Sequence, residues 1–233
     1  MSTITLYTAP TANGFKVSIA LEELGLDYFV RYLRFEKSEQ KTADFLKLNP
    51  NGRIPVIVDH SNDDFLLTES GAILLYLAER TGKLMPSDSN DKHKVIQWLM
   101  FQMSAIGPMM GQAMFFQRIA APKGIEVPFA VERYKKESER LLSILDFQLR
   151  NNDFLCGEYT IADIAVFPWA RAYRWANLDI QRFTNLKRWF KRVEARDAVQ
   201  RGMRVPTGKM PLAFDERANL DDATKTNAEK YDI

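Results

Sequence analysis

Glu69 and Ser70 are the residues whose types and spacing first suggest chemistry. They stand in the segment Thr68-Glu69-Ser70-Gly71, just before an apolar pattern of helical period. A helix N-terminus offers unpaired amide groups and a favourable dipole to a carboxylate, the serine hydroxyl adds a donor, and the glutamate can pair with an ammonium group. Together they could bind an α-amino acid. The alternative is an ordinary helix N-cap, which accounts for most such sequences.

Arg53-Ile54-Pro55 is the second segment of this kind. A cis proline at position 55 would leave the backbone N–H and C=O of Ile54 facing outward, able to pair with a peptide as an added strand. The alternative is a proline that merely starts a strand, because proline sits poorly inside one.

A third segment, Pro10-Thr11-Ala12-Asn13-Gly14, forms a turn before the first helical pattern. The Thr11 hydroxyl and the Asn13 amide could present donors to an anionic group there. An ordinary turn capped by Thr11 or Asn13 is the equally good alternative on local grounds. All three segments could serve one small-peptide site if the fold brings them together.

The elements that must position these segments alternate between strand and helix. The patterns predict strand, helix, strand over residues 4–35, hence a parallel pair with a crossover helix, then a short helix, a β-hairpin and a helix over residues 42–79. Residues 82–91 are rich in Gly, Pro, Ser, Asp and Asn and mark a boundary. We therefore predict an α/β domain over residues 1–84.

No convincing strand follows that boundary. Helical periodicities run through residues 92–121, 127–149, 160–176 and 186–195. We therefore expect an all-helical domain over residues 91–206. The polar residues 207–233 are expected to form a tail or a strap on the surface.

Composition excludes several classes of protein. Hydrophobic residues make up 46% and charged residues 27% of the 233 residues, as in ordinary globular proteins. The 32 basic and 30 acidic residues nearly cancel and form no long block of one sign, so no nucleic-acid partner is expected. With no apolar run of about 18 residues and no basic leader, we expect no membrane segment and a cytoplasmic location.

Cys156 is the single cysteine of the sequence. One cysteine excludes an intramolecular disulfide, a Cys-x-x-Cys pair and a cysteine-based zinc site, and no metal is predicted. Its apolar neighbours favour an unreactive, half-buried thiol over a reactive one.

The three segments, taken in this order, resemble the glutathione transferases. That family joins a thioredoxin-like amino-terminal domain to an all-helical carboxy-terminal domain, so the implied fold class is α/β plus all-α. Tyr159-Thr160-Ile161-Ala162-Asp163 resembles the family's capping box, in which Thr160 and Asp163 cap a buried helix reciprocally. The segments that look most like the nu-class and yeast nitrogen-regulator (Ure2p-like) branch are residues 9–16, 49–55, 69–74, 107–112 and 130–134.

The resemblance implies a glutathione site with assigned roles. The γ-glutamyl end would lie at Glu69 and Ser70, and the cysteinyl amide would pair with the backbone of Ile54, next to Arg53. The thiol would lie near Asn13 and Thr11, the expected catalytic residues. The implied assembly is a homodimer, in which Arg133 reaches the site of the partner subunit and Gln112 lines the cavity.

The usual activator of this family, a tyrosine, serine or cysteine beside the glutathione sulfur, has no clear counterpart. Thr11 occupies roughly the serine position, and Tyr7 lies inside the predicted strand. A hydroxyl or an amide N–H can still lower a thiol pKa from about 8.5 by hydrogen bonding to the thiolate. Asn13 is the better placed donor by analogy.

The implied function is a glutathione-dependent transferase with disulfide-bond reductase or peroxidase activity. Its substrates would be glutathione or oxidised glutathione and a small electrophile, disulfide or peroxide, with bound glutathione thiols as nucleophiles. The alternative is a glutathione-binding regulatory protein with little turnover. The regulator's activity depends on an Asn/Gln-rich extension, which this sequence lacks before its first strand, and this favours the enzyme.

Overall fold

The computed structural model describes residues 3–211, which divide into two compact units. Residues 3–87 and 194–211 form the first unit, and residues 88–193 form the second. Most of the segment expected to be a tail, from residue 212 onward, lies outside the described residues. None of the helices within residues 3–211 is both long and apolar enough to cross a membrane.

The first unit contains a four-stranded sheet in the order β2-β1-β3-β4. β1 and β2 are parallel, and the other two pairs are antiparallel. Its elements are β1 (Ile4–Thr8), α1 (Ala12–Leu24), β2 (Tyr28–Tyr32), α2 (Ala43–Leu48), β3 (Val56–Asp59), β4 (Phe65–Thr68) and α3 (Ser70–Thr81). This is the predicted thioredoxin-like arrangement, and that prediction is confirmed.

Helix α1 begins and ends where local chemistry requires. The Thr11 hydroxyl accepts a hydrogen bond from the Gly14 amide at 3.2 Å and so caps the N-terminus. Gly25 adopts φ of 65° at the C-terminus, a left-handed conformation that costs glycine little. The helix starts three residues before the predicted Phe15, because apolar periodicity does not extend into a capped first turn.

The second unit is all-helical, as predicted. Its elements are α4 (Ser89–Phe101), α5 (Gly107–Phe115), α6 (Pro128–Gln148), α7 (Ile161–Arg171) and α8 (Thr184–Glu194). The helical periodicity predicted over residues 92–121 contains two one-turn π segments: Gln102–Ile106 separates α4 from α5, and Phe116–Ala120 follows α5. Pro108 has no amide to donate to the preceding turn, and the first π segment lies just before it.

The capping box expected at the start of α7 is present. The Thr160 hydroxyl accepts from the Ala162 amide at 3.3 Å, and Oδ2 of Asp163 accepts from the Thr160 amide at 3.1 Å. Both capping side chains are buried. Two helix-end donors are therefore satisfied inside the core, where leaving them unpaired is costly.

Sequence patterns gave no sign of α9 (Asp197–Met203). We expected these residues within the helical domain, but they pack on α1 in the first unit. Ser18 donates a 2.7 Å hydrogen bond to the Gly202 carbonyl. Two ion pairs, Arg196 with Glu23 and Arg201 with Glu22, flank this contact, each with a shortest N–O distance of 2.6 Å.

Candidate functional site

The strand register brings the three segments to one edge of the sheet. Val56, the first residue of β3, lies opposite Tyr7 near the end of β1 and opposite Thr68 at the end of β4. The turn after β1, the proline before β3 and the residue after β4 therefore emerge at the same end of the sheet. This juxtaposition could not be read from any one segment.

Glu69 occupies an unusual backbone conformation at this edge. Its φ is 67° and its ψ is 114°, a backbone conformation that residues other than glycine rarely adopt. Such a conformation costs about 1–3 kcal/mol, and conformations of this kind cluster at active sites, ligand clamps and switch regions. Glu69 is the N-cap residue of α3, yet its exposed carboxylate caps no amide among the described residues. The simple capping interpretation therefore does not explain this glutamate.

The N-terminus of α3 provides donors beside Glu69. The first helical hydrogen bond runs from the Ile73 amide to the Glu69 carbonyl at 2.9 Å, so the amides of residues 70–72 precede it. Ser70 is the first helical residue and is 3% exposed. A carboxylate placed here would meet backbone donors, a hydroxyl and the positive end of the helix dipole.

Lys16 is a site-adjacent residue that the sequence analysis missed. Its side chain is fully buried, and its Nζ donates to the Ser70 Oγ over 3.3 Å. Burial lowers the pKa of Lys16 to about 7, and the nearby Glu69 carboxylate opposes this shift. The available signal was a charged residue on the apolar side of a helix between Phe15 and Val17.

The Ile54–Pro55 peptide bond is cis, one of the two expected alternatives. Ile54 is half-buried, and among residues 3–211 its amide and carbonyl form no backbone hydrogen bond. The Asn49 side chain donates to the Arg53 carbonyl at 2.8 Å and holds the preceding turn. Arg53 itself is exposed. The backbone at Ile54 thus has pairing capacity for an extended peptide.

The turn after β1 places Thr11 and Asn13 at the start of α1. Thr11 is engaged as the helix cap, so the local alternative of an N-cap holds for this residue. Asn13 is half-buried in the first helical turn. A Cβ on Gly14 would come within 2.3 Å of the Ala9 carbonyl oxygen, so only glycine fits there.

Gln112 and Arg133, the other two expected site residues, belong to the helical unit. Gln112 lies in α5 and Arg133 in α6, two helices that pack against each other. Both side chains are exposed. Arg133 also helps to lower the pKa of Glu137, one turn further along α6, after the larger effect of Arg140.

Cys156 is half-buried, and burial raises the pKa of its thiol to about 12. Very little thiolate is then present near neutral pH, so this cysteine is a poor nucleophile. Within the described part of the chain, no group of three or more His, Cys, Asp or Glu side chains is arranged to hold a metal ion.

Comparison with known proteins agrees with this architecture. A family model described as the glutathione S-transferase N-terminal domain matches residues 2–79, and one described as the C-terminal domain matches residues 112–197. The disulfide-bond oxidoreductase YfcG of Escherichia coli is 43% identical, over 84% of this chain and 92% of that protein. Protein URE2 of Eremothecium gossypii is 31% identical, over 88% of this chain and 68% of that protein.

A solved structure is also similar over both units. The glutathione transferase of Burkholderia graminis, crystallised with two glutathione molecules bound per subunit, has a TM-score of 0.82 and 44% identity. The match covers 89% of this chain and 90% of that one. The chain therefore belongs to the glutathione transferase family, and its relatives include the URE2 proteins that the sequence motifs resemble.

Proposed function

We propose that this protein is a glutathione-dependent disulfide-bond reductase that binds glutathione at the edge of the first-unit sheet. The observation that carries the proposal is the register that joins Glu69, Ser70 and the Ile54 backbone at one edge. YfcG is named a disulfide-bond oxidoreductase, and the Burkholderia graminis protein binds two glutathione molecules per subunit. Both features suit a reaction that consumes two thiols.

Each end of glutathione has a matching group in this proposal. The Glu69 carboxylate pairs with the γ-glutamyl ammonium group, while the Ser70 hydroxyl and the α3 amides receive the α-carboxylate. The Ile54 backbone pairs with the cysteinyl residue, and Arg53 lies alongside. The thiol then faces Asn13 and Thr11, whose donors favour the thiolate.

The reaction is a pair of thiol–disulfide exchanges. The first glutathione thiolate attacks one sulfur of the substrate disulfide, forms a mixed disulfide and releases the other sulfur as a thiolate. The second glutathione thiolate attacks the glutathione sulfur of the mixed disulfide, giving oxidised glutathione and releasing the remaining substrate thiolate. The same thiolate can attack an electrophile or a peroxide, so transferase and peroxidase activities belong to the proposal.

We further propose a homodimer in which Arg133 reaches the partner's site, and Gln112 lines the cavity. A guanidinium suits the glycyl carboxylate or a second glutathione molecule. A cytoplasmic location accompanies the proposal because glutathione is kept reduced there.

The test compares binding with turnover. Calorimetric titration measures the affinity for glutathione, and turnover is followed with hydroxyethyl disulfide and separately with an aromatic halide. We expect binding and disulfide reduction, with Glu69→Gln weakening binding about tenfold or more because it loses a charge-assisted pair. Glu79→Gln, an exposed glutamate on the same helix, is the control. Binding without turnover would instead support the regulatory alternative.

A further inference from the structure

Lys16 is a fully buried lysine in the first unit. Lysine is almost never buried completely unless a partner holds its ammonium group, because desolvating the charge is costly. Its position in α1 directs the side chain toward the start of α3, since the two helices pack against each other. This burial therefore needs an explanation beyond packing.

The contact with Ser70 explains what the ammonium group does. An ammonium group has three donors and no acceptor, so Lys16 donates to the Ser70 oxygen across 3.3 Å. While Lys16 is charged, the hydroxyl hydrogen of Ser70 must point away from it. A ligand carboxylate at the α3 N-terminus would lie within reach of a hydroxyl whose oxygen already accepts from an ammonium group, and such a hydroxyl is a stronger donor.

The Lys16 side chain has a pKa close to neutral pH. Burial lowers its pKa to about 7, and Glu69 is the charged group within residues 3–211 whose field is found to oppose this. A ligand carboxylate beside Ser70 would add a second negative charge and raise the pKa of Lys16. Two ion pairs lie where α1 meets α9, Glu22 with Arg201 and Glu23 with Arg196.

We propose that Lys16 is a positioning residue for the ligand carboxylate: it orients the Ser70 hydroxyl and places a buried positive charge behind the α3 N-terminus. This inference rests on the proposed function of the same edge. It adds a selectivity for the α-carboxylate of the γ-glutamyl group that Glu69, which meets the ammonium group, cannot provide. It also couples binding to the uptake of a proton.

The first experiment uses the wild-type protein, so its result does not depend on whether a variant folds. S-Methylglutathione, which has no free thiol, is titrated at pH 7 in buffers of different ionisation enthalpy, and the dependence of the heat on the buffer gives the protons taken up. We expect an uptake of less than one proton per site, because the lowered pKa of Lys16 leaves part of the population uncharged before binding. An uptake of zero would overturn the proposal.

The second experiment tests selectivity. Lys16→Met is compared with wild type for S-methylglutathione and for its analogue whose γ-glutamyl α-carboxylate is an amide. The substitution should weaken binding of the carboxylate ligand about tenfold or more and leave the amide ligand within about twofold. A merely structural lysine would weaken both ligands equally, and that result would contradict the proposal.

The control variant is Lys47→Met, which removes an exposed lysine on α2 of the same unit. It should bind both ligands as wild type does. If wild type binds neither ligand, the proposed function itself fails. If wild type binds S-methylglutathione without proton uptake, or Lys16→Met binds it equally well, only the role of Lys16 fails.

Discussion

The indole Nε1 of Trp189 donates a 2.8 Å hydrogen bond to Oδ1 of Asp163, a fully buried carboxylate. The same oxygen accepts from the Leu155 amide at 3.0 Å, and Oδ2 accepts from the Thr160 amide. One side chain thus joins α7, α8 and the loop between α6 and α7.

Asp163→Ala should destabilise the protein strongly. It leaves two backbone amides and one indole N–H unpaired in the core, at a cost of about 3–5 kcal/mol in the free energy of unfolding. Urea unfolding followed by tryptophan fluorescence measures this. Asp153→Ala, which removes an exposed carboxylate paired with Arg192, is the control and should change stability by less than about 1 kcal/mol. An equal loss in both variants would contradict the assignment.

The buried Asp163 carboxylate should make the stability of the protein depend on pH. Burial raises the pKa of Asp163 to about 6, against an ordinary value of 3.8. The folded state therefore holds the proton more tightly, and the stability contributed by protonation is fully present below pH 3.8 and is lost as the pH rises through 6. Relative to Asp163→Asn, wild type should lose about 2 kcal/mol between pH 4 and pH 7. Parallel pH profiles for the two proteins would show that Asp163 does not titrate in this way.

Gly202→Ala should destabilise the first unit through the contact between α1 and α9. A Cβ at position 202 would lie 2.6 Å from the backbone of Ile19, which cannot move aside as a side-chain end can. We expect a loss of about 1–3 kcal/mol. In the matched variant Gly111→Ala, the Cβ would meet Trp169 at an ordinary 3.5 Å, so the better helix propensity of alanine should make it neutral or stabilising. Thermal unfolding of both variants measures these changes in stability.

Substitutions at Thr11 and Asn13 should distinguish an effect on stability from an effect on activity. Thr11→Ala removes the α1 cap and should cost about 1 kcal/mol of stability, while Thr11→Ser keeps the hydroxyl and the cap. Asn13→Ala should lower the disulfide reductase rate more than Thr11→Ala does, because Asn13 is the proposed donor to the thiolate. The rates are measured with hydroxyethyl disulfide at saturating glutathione. Wild-type rates in both alanine variants would disprove the assignment of the thiol-proximal donors.

The proposed reach of Arg133 across a dimer can be tested by complementation. Glu69→Ala and Arg133→Ala are each expected to be weakly active. If Arg133 acts in the partner's site, co-folding equal amounts forms hybrid dimers with one intact site, restoring about a quarter of the wild-type activity. If Arg133 acts within its own subunit, no site is intact and no activity returns. Analytical ultracentrifugation of the mixture measures the dimer itself.

The sequence by itself determined what depends on local chemistry. The order of strands and helices and the stop at Gly25 were readable, a cap at Thr11 or Asn13 was one of two alternatives, and family resemblance pointed to the capping box of Thr160 and Asp163. Each depends on residues within a few positions of one another, where periodicity and capping preferences act. The site residues in the first unit were proposed on the same basis, with help from family resemblance.

The tertiary structure alone decided which distant groups meet. The positive φ at Glu69, the register that gathers three segments, and the packing of α9 on α1 depend on contacts between residues far apart in the sequence. Lys16 shows the difference most clearly, because in the sequence it is one of many lysines. Only when α1 packs against α3 does its ammonium group lose water and meet Ser70, and burial then lowers the pKa of this lysine.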